Sequence, residues 1–220
     1  MSIDRDAIER KLSRVLSSGF RNELDRLMEY LGDPPDLRNV PPSYWSNGWK
    51  DIQRQVEPIL VDTFVESAMA LPGIGIAVEW DLINSEASNW ARTNLENLLQ
   101  KIFNRNYEHL NELIPRYFED NWTVRDLARE LERYYSPVRA EMIAVTETTR
   151  SVVQGERAAV WQMQKESGLR MVPIWLTARD DRVCEICGPK HKQPIVGSDF
   201  PPAHPRCRCG VAYEYPKEGR

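Results

Sequence analysis

Residues able to do metal or nucleophile chemistry crowd into the last fifth of this chain. All four cysteines lie there, as Cys184-x-x-Cys187 and then Pro-Ala-His204-Pro-Arg-Cys207-Arg-Cys209. A two-residue gap lets both thiolates of Cys184 and Cys187 turn onto one ion, and a second cluster after a loop supplies the rest. Zn²⁺ prefers thiolate and imidazole in a tetrahedral site. Five donors for four positions leave no place for a catalytic water, so the expected role is structural, with one zinc per chain. The ligands are Cys184, Cys187 and Cys207 with either His204 or Cys209. His204-x-x-Cys207 repeats the two-residue chelate, whereas Cys207-x-Cys209 places both thiols on one strand face. Thiolate softness tilts the choice towards the four cysteines, with His204 on the ion or supporting a residue that is.

Other titratable residues offer less. Glu147 falls in a helical stretch that is apolar on two sides, where an unpaired carboxylate is costly; it is expected in a buried ion pair, with a functional acid as the alternative. Asp180-Asp181, between Arg179 and Arg182, reads as a charged turn orienting the first knuckle, or else as a functional acid at Asp180. His191, flanked by Lys190 and Lys192, reads as a solvated loop residue, and His109 as one on a polar helix face. There is no Gly-rich phosphate loop, no Gly-x-Ser-x-Gly and no His-Glu-x-x-His, hence no convincing catalytic constellation.

The elements that must position these residues are mainly helical. Residues 3–31 carry a 3.6-period apolar stripe interrupted by Gly19. The prolines between Gly32 and Ser43 make a stiff linker, a second helix runs from about Trp49 to Leu71, and a third from Asn84 to about Phe118. Leu71 to Trp80 is a turn followed by a loop or a brief strand. Thr123 with Asp126, and Ser136 with Pro137, mark two helix starts. The helix from Ser136 runs through Gln164 and stops at Gly168, a left-handed cap. One of its stripes contains Trp161 and the other Val138. Met171–Leu176 and Gly210–Tyr215 read as strands of a hairpin whose long connection is pinned by zinc. The expectation is a mainly α chain: an N-terminal helical region, 1–118, then a long helix with a small β-hairpin zinc knuckle (α+β), 119–220.

Composition sets limits. With 220 residues, 41 % hydrophobic and 28 % charged, the chain is an ordinary globular protein, and a net charge of −4 argues against bulk nucleic-acid binding. The last 42 residues hold eight Lys/Arg against six Asp/Glu, a weak cationic bias that supports at most slight phosphate contact. No apolar run reaches the roughly 18 residues of a membrane span, and the start lacks a signal-peptide pattern. A cytosol-like compartment is therefore expected, where thiols stay reduced and metal is favoured over disulfides.

Three blocks carry a resemblance: R-A-E-M-I-A-V-T-E-T-T-R-S-V-V-Q-G-E from Arg139, W-L-T-A-R-D-D-R-V-C-E-I-C-G from Trp175, and F-P-P-A-H-P-R-C-R-C from Phe200. In order and spacing they resemble the phage Mu F-like head morphogenesis family, over roughly residues 121–213. The likeness implies a minor head or capsid protein of a tailed phage or prophage, present in few copies, assembled in the host cytoplasm and carried in the virion head. It implies the portal protein, with other capsid or scaffolding proteins, as partners, and no established enzyme activity. Glu147, Asp180, Cys184, Cys187, His204, Cys207 and Cys209 fall on its signature positions. Lys190 and Lys192 depart from its pattern. The competing readings are a metal-dependent nuclease or toxin-like effector, and a DNA-contacting zinc module.

Overall fold

The computed structural model describes residues 3–47, 49–71, 78–178 and 183–216. Among these residues six α-helices and one antiparallel strand pair follow in chain order: α1 (Arg5–Leu31), α2 (Pro42–Asn47), α3 (Lys50–Ala70), α4 (Trp80–Glu119), α5 (Val124–Glu132), α6 (Pro137–Ser167), β1 (Val172–Leu176) and β2 (Gly210–Glu214). The mainly α class is as expected. Residues 72–77, which hold most of the expected loop or brief strand, and the Asp180 turn lie outside the described residues. By contact the chain forms two compact units: one of Met1–Glu9, Ile59–Ala91 and Met142–Arg220, the other of Arg10–Pro58 and Arg92–Glu141.

Local chemistry explains the helix ends. Thr123 and Asp126 form a reciprocal capping box: each side chain accepts the other's backbone N–H, at 3.3 and 3.0 Å. The Ser136 hydroxyl accepts the N–H of Arg139, and Pro137 opens α6. Gly168, at φ +69°, ends it. Gly19 does not interrupt α1. A Cβ there would stand 2.4 Å from Ile52 Cγ1, so this glycine admits the Ile52 side chain. Rings pack beside the buried aliphatic residues of that second unit, with Trp49 edge-on to Phe20 at 5.6 Å and stacked on Tyr135 at 6.3 Å.

In the first unit α6 meets α3 backbone to backbone. Ser151 Oγ donates to the carbonyl of Leu60 at 2.7 Å. One turn on, a Cβ on Gly155 would stand 2.0 Å from the Phe64 carbonyl oxygen. Another turn on, Ala159 and Ala68 share a buried cluster with Phe64, Ile83, Ala87 and Ala158. Positions 151, 155 and 159 thus face 60, 64 and 68, each set on a four-residue ridge. Trp161 and Val138 are exposed rather than buried, because α6 is covered over less than its full circumference.

The sheet has one register, from Val172 opposite Glu214 to Leu176 opposite Gly210. The connection lies along the other edge of β1: Trp175 N–H donates to Gln193 O (2.9 Å), Lys192 N–H to Trp175 O (2.8 Å) and Ile195 N–H to Pro173 O (2.8 Å). Pro173 needs no amide partner on that side.

Two predictions follow from the contents of this unit. Alanine at 155 gains about 1 kcal/mol of helix propensity over glycine, yet its Cβ would meet a carbonyl that cannot rotate away. Gly155→Ala should therefore be net destabilising by about 1–3 kcal/mol, and by more than Gly19→Ala, whose obstacle is a mobile side chain. Urea unfolding of both variants checks the order, and an equal or milder effect at 155 refutes the close-contact account. The second concerns Glu156. Its Oε2 is buried with no hydrogen-bond partner among the described residues, and burial pushes its carboxyl up to about 7, partly offset by Arg5. The folded state thus favours the neutral acid. The cost is absent below about pH 4.5, grows as the unfolded chain ionises first, and is complete above about pH 7, at roughly 3 kcal/mol. Glu156→Gln should flatten the loss of stability between pH 5 and pH 8, measured by denaturation midpoints.

Candidate metal centre

Two short turns bring the donors in. The Cys187 N–H reaches the Cys184 carbonyl at 3.1 Å and the Gly188 N–H reaches it at 2.9 Å, closing the first knuckle. The Cys207 N–H reaches the His204 carbonyl at 3.2 Å, closing a second turn of the same spacing. Arg206, inside it, adopts φ +63°. Its N–H is held by Thr146 Oγ1 of α6 at 3.0 Å, which fixes the second turn against the helix. No local pattern marks Thr146, which opens a run of polar residues on α6.

The donors form two overlapping groups, Cys184–Cys187–His204 and Cys187–Cys207–Cys209, each with its ligand atoms within 4.8 Å of one another. His204 Nε2 lies 3.1 Å from Cys184 Sγ and 3.2 Å from Cys187 Sγ. Its Nδ1 is 2.7 Å from the Pro205 carbonyl, which can only accept. The proton therefore sits on Nδ1, and the Nε2 lone pair faces the thiols, as ligation by a neutral imidazole needs. Cys187 and Cys207 Sγ stand 3.9 Å apart. Sulfurs on a zinc tetrahedron with bonds of about 2.3 Å would be about 3.8 Å apart. The donor set fits such an ion, and all four cysteines are unbridged.

The electrostatics separate the thiols. A hydrogen bond from Cys209 brings Cys207 down to about 5. Donating that bond, together with burial, holds Cys209 above the ordinary thiol range. Burial, then the charge of Cys207, pushes Cys187 up to about 12. The Cys187 N–H lowers Cys184. The bond to Pro205 raises His204, and the nearby cysteines raise it further.

Apolar and ionic neighbours enclose the cluster. Trp175, 1 % exposed, packs with Cys187, Cys207 and Cys209. Lys190 Nζ sits 4.7 Å from the Trp175 ring centre and 2.6 Å from Asp199 Oδ2. Arg208, between two of the cysteines, reaches back to α1: its Nη2 lies 2.6 Å from Oε2 of the buried Glu9, its Nε lies 3.3 Å from Oε1, and its carbonyl accepts from Arg5. The first turns of α1 thus hold the cysteine loop, a contact no local pattern announces.

The remaining candidates stand apart from this cluster in their own contacts. Glu147 is buried, and Arg150 Nε lies 3.3 Å from its Oε2. His191 is no free loop residue: its Nδ1 accepts from the Thr177 N–H (3.3 Å) and lies 2.9 Å from the Thr177 hydroxyl, because the loop pairs along β1. His109 stacks on Tyr134 at 4.0 Å and lies 3.4 Å from Glu112, so its helix face is partnered.

Among the described residues no helix is long and apolar enough to cross a membrane. No curated protein and no solved structure matches the chain. Residues 119–212 match the family described as Phage Mu protein F like protein, a stretch running from the end of α4 through both knuckles into β2. With its two knuckles held between α6 and a strand pair, that stretch is similar to phage Mu F-like proteins.

Proposed function

We propose that this protein is a structural minor head protein of a tailed phage or prophage, acting in head morphogenesis at the portal vertex and contacting the portal and other capsid or scaffolding proteins. The family match over residues 119–212 supports a phage head role. In this reading residues 119–220 form the head-morphogenesis domain, the N-terminal helices are a separate region, and neither catalyses a reaction. The single observation that carries the zinc staple is the convergence of five soft donors in two overlapping groups.

One Zn²⁺ per chain is held by Cys184, Cys187, His204 and Cys207. The twin turns and the free Nε2 lone pair favour this set over four cysteines, and it leaves one less negative charge in a half-buried site. Cys209 then acts as the thiol that donates to Cys207. The ion stabilises a segment whose described residues form two five-residue strands. Structural zinc binding is of the order of 10 kcal/mol, ample for a module whose apolar core is small. The nuclease reading needs a vacant coordination position, and five donors fill four places.

Elemental analysis of the reduced protein should give about one zinc per chain. Cys184→Ser, His204→Ala and Cys207→Ser should each weaken zinc binding by about a hundredfold or more, and Cys209→Ser by about tenfold. Chelation should raise hydrogen exchange near Trp175 and Tyr213 while leaving α3 and α4 protected. A metal-free native protein, or exchange unchanged by chelator, rules out the staple; Cys209→Ser losing more than His204→Ala returns the site to four cysteines. For the head role, absence of the chain from purified virions and from every assembly intermediate is the decisive negative.

A further inference from the structure

Trp161 is 59 % exposed on α6, although its neighbours on either side are buried. It stands where two cavities meet. One, of about 480 Å³, lies between α6 and the sheet, lined by Arg157, Met171, Phe200 and Tyr213. The other, of about 640 Å³, continues along the end of α6, lined by Lys165, Leu169 and Arg170. Both are lined by Trp161, Gln164 and Met171, so they form one groove. A large indole left in water next to such a groove marks an interaction surface.

The groove's polar groups are nearly all donors. Among the described residues three cations line it, Arg157, Lys165 and Arg170, against one acid, Glu86, in a chain of net charge −4. Lys165 Nζ lies 5.6 Å from the Trp161 ring centre and the Arg157 guanidinium 4.1 Å from that of Phe200, so both cations are held at the apolar floor. The Gln164 side-chain oxygen is taken by the Met171 N–H at 2.6 Å, which leaves its NH₂ to donate. The Tyr213 hydroxyl is buried with no hydrogen-bond partner among the described residues. A donor-rich, cationic rim around an apolar floor is complementary to carboxylates and backbone carbonyls that accompany an apolar side chain. Single-stranded nucleic acid fits less well: successive bases need several exposed rings, only Trp161 is exposed among the described rings lining the groove, and Glu86 opposes phosphate.

We propose that this groove docks an acidic peptide segment, anchored by an aromatic or branched side chain against Trp161, from a protein partner. Assigning that partner to the assembling head rests on the function proposed above; the groove's chemistry does not.

The test is selection of a displayed library of short random peptides on the folded, zinc-replete chain, followed by affinity measurement with the winning peptide labelled. The expected winners are acidic with at least one large apolar residue. Binding should fall about thirtyfold with Trp161→Ala and about tenfold with Lys165→Glu/Arg170→Glu, and the effect of the charge pair should shrink in high salt. Both changes are on exposed side chains, so zinc content and urea midpoint should stay unchanged. The inference is overturned if no acidic peptide is enriched, if either variant binds like the parent, or if labelled oligothymidylate binds more tightly than the peptide. It is equally overturned if the chain self-associates through Trp161 instead. A chain found in virions that nonetheless selects no such peptide defeats this inference and leaves the head role standing.

Discussion

The contact between Gly155 and the Phe64 carbonyl is the constraint from which the first unit is built. Because no Cβ intervenes, α6 and α3 approach to backbone distance, and Ser151 spans the gap with a hydrogen bond to Leu60. The small residues beyond, Ala158, Ala159 and Ala68, keep that spacing along the crossing. Large side chains on this ridge would push α6 outward by the width of a methyl group or more. Everything held by the opposite face of α6 would move with it.

That opposite face is what seats the cysteines. Thr146 fixes the second turn through Arg206, Gln164 receives the start of the sheet at Met171, and Arg157 covers Phe200 just before the Pro-Pro-Ala-His204 stretch. From the other direction Arg208 is bound to Glu9 and Arg5 at the beginning of α1. The donors therefore converge on a place defined by two helices and a strand pair. Trp175 closes the apolar side of that place, so water is kept from the sulfurs there. A thiolate cluster partly shielded in this way is favourable for a soft cation and unfavourable for free charge.

Sequence patterning showed much of this. The helix starts at Thr123 and Ser136 and the stop at Gly168 were legible because caps are local: each depends on a side chain within three or four residues of the backbone it serves. The hairpin of Met171–Leu176 with Gly210–Tyr215 was legible because the first is a short apolar run, the second has alternating character, and the two bound one loop. Other features were not legible, for physical reasons. Gly19 leaves a gap in the apolar stripe of residues 3–31, and only the tertiary contact with Ile52 shows why a residue that disfavours helices stands there. His191 looked solvated because its neighbours are lysines, and its partner Thr177 lies fourteen residues away across a backbone pairing that no period encodes.

By itself, then, the sequence determined the local elements and the donor inventory. Cys184, Cys187, His204, Cys207 and Cys209 announce soft-metal chemistry by type and by a chelate spacing that any turn can close. Only the tertiary structure decided which lone pair points inward, through the bond from His204 to Pro205, and that the donors share Cys187. It also decided that Trp161 faces outward, although its spacing places it on a helix stripe with buried residues. Spacing along a chain fixes which residues share a face. Which face is covered depends on partners distant in sequence, here α3, β1 and the first turns of α1.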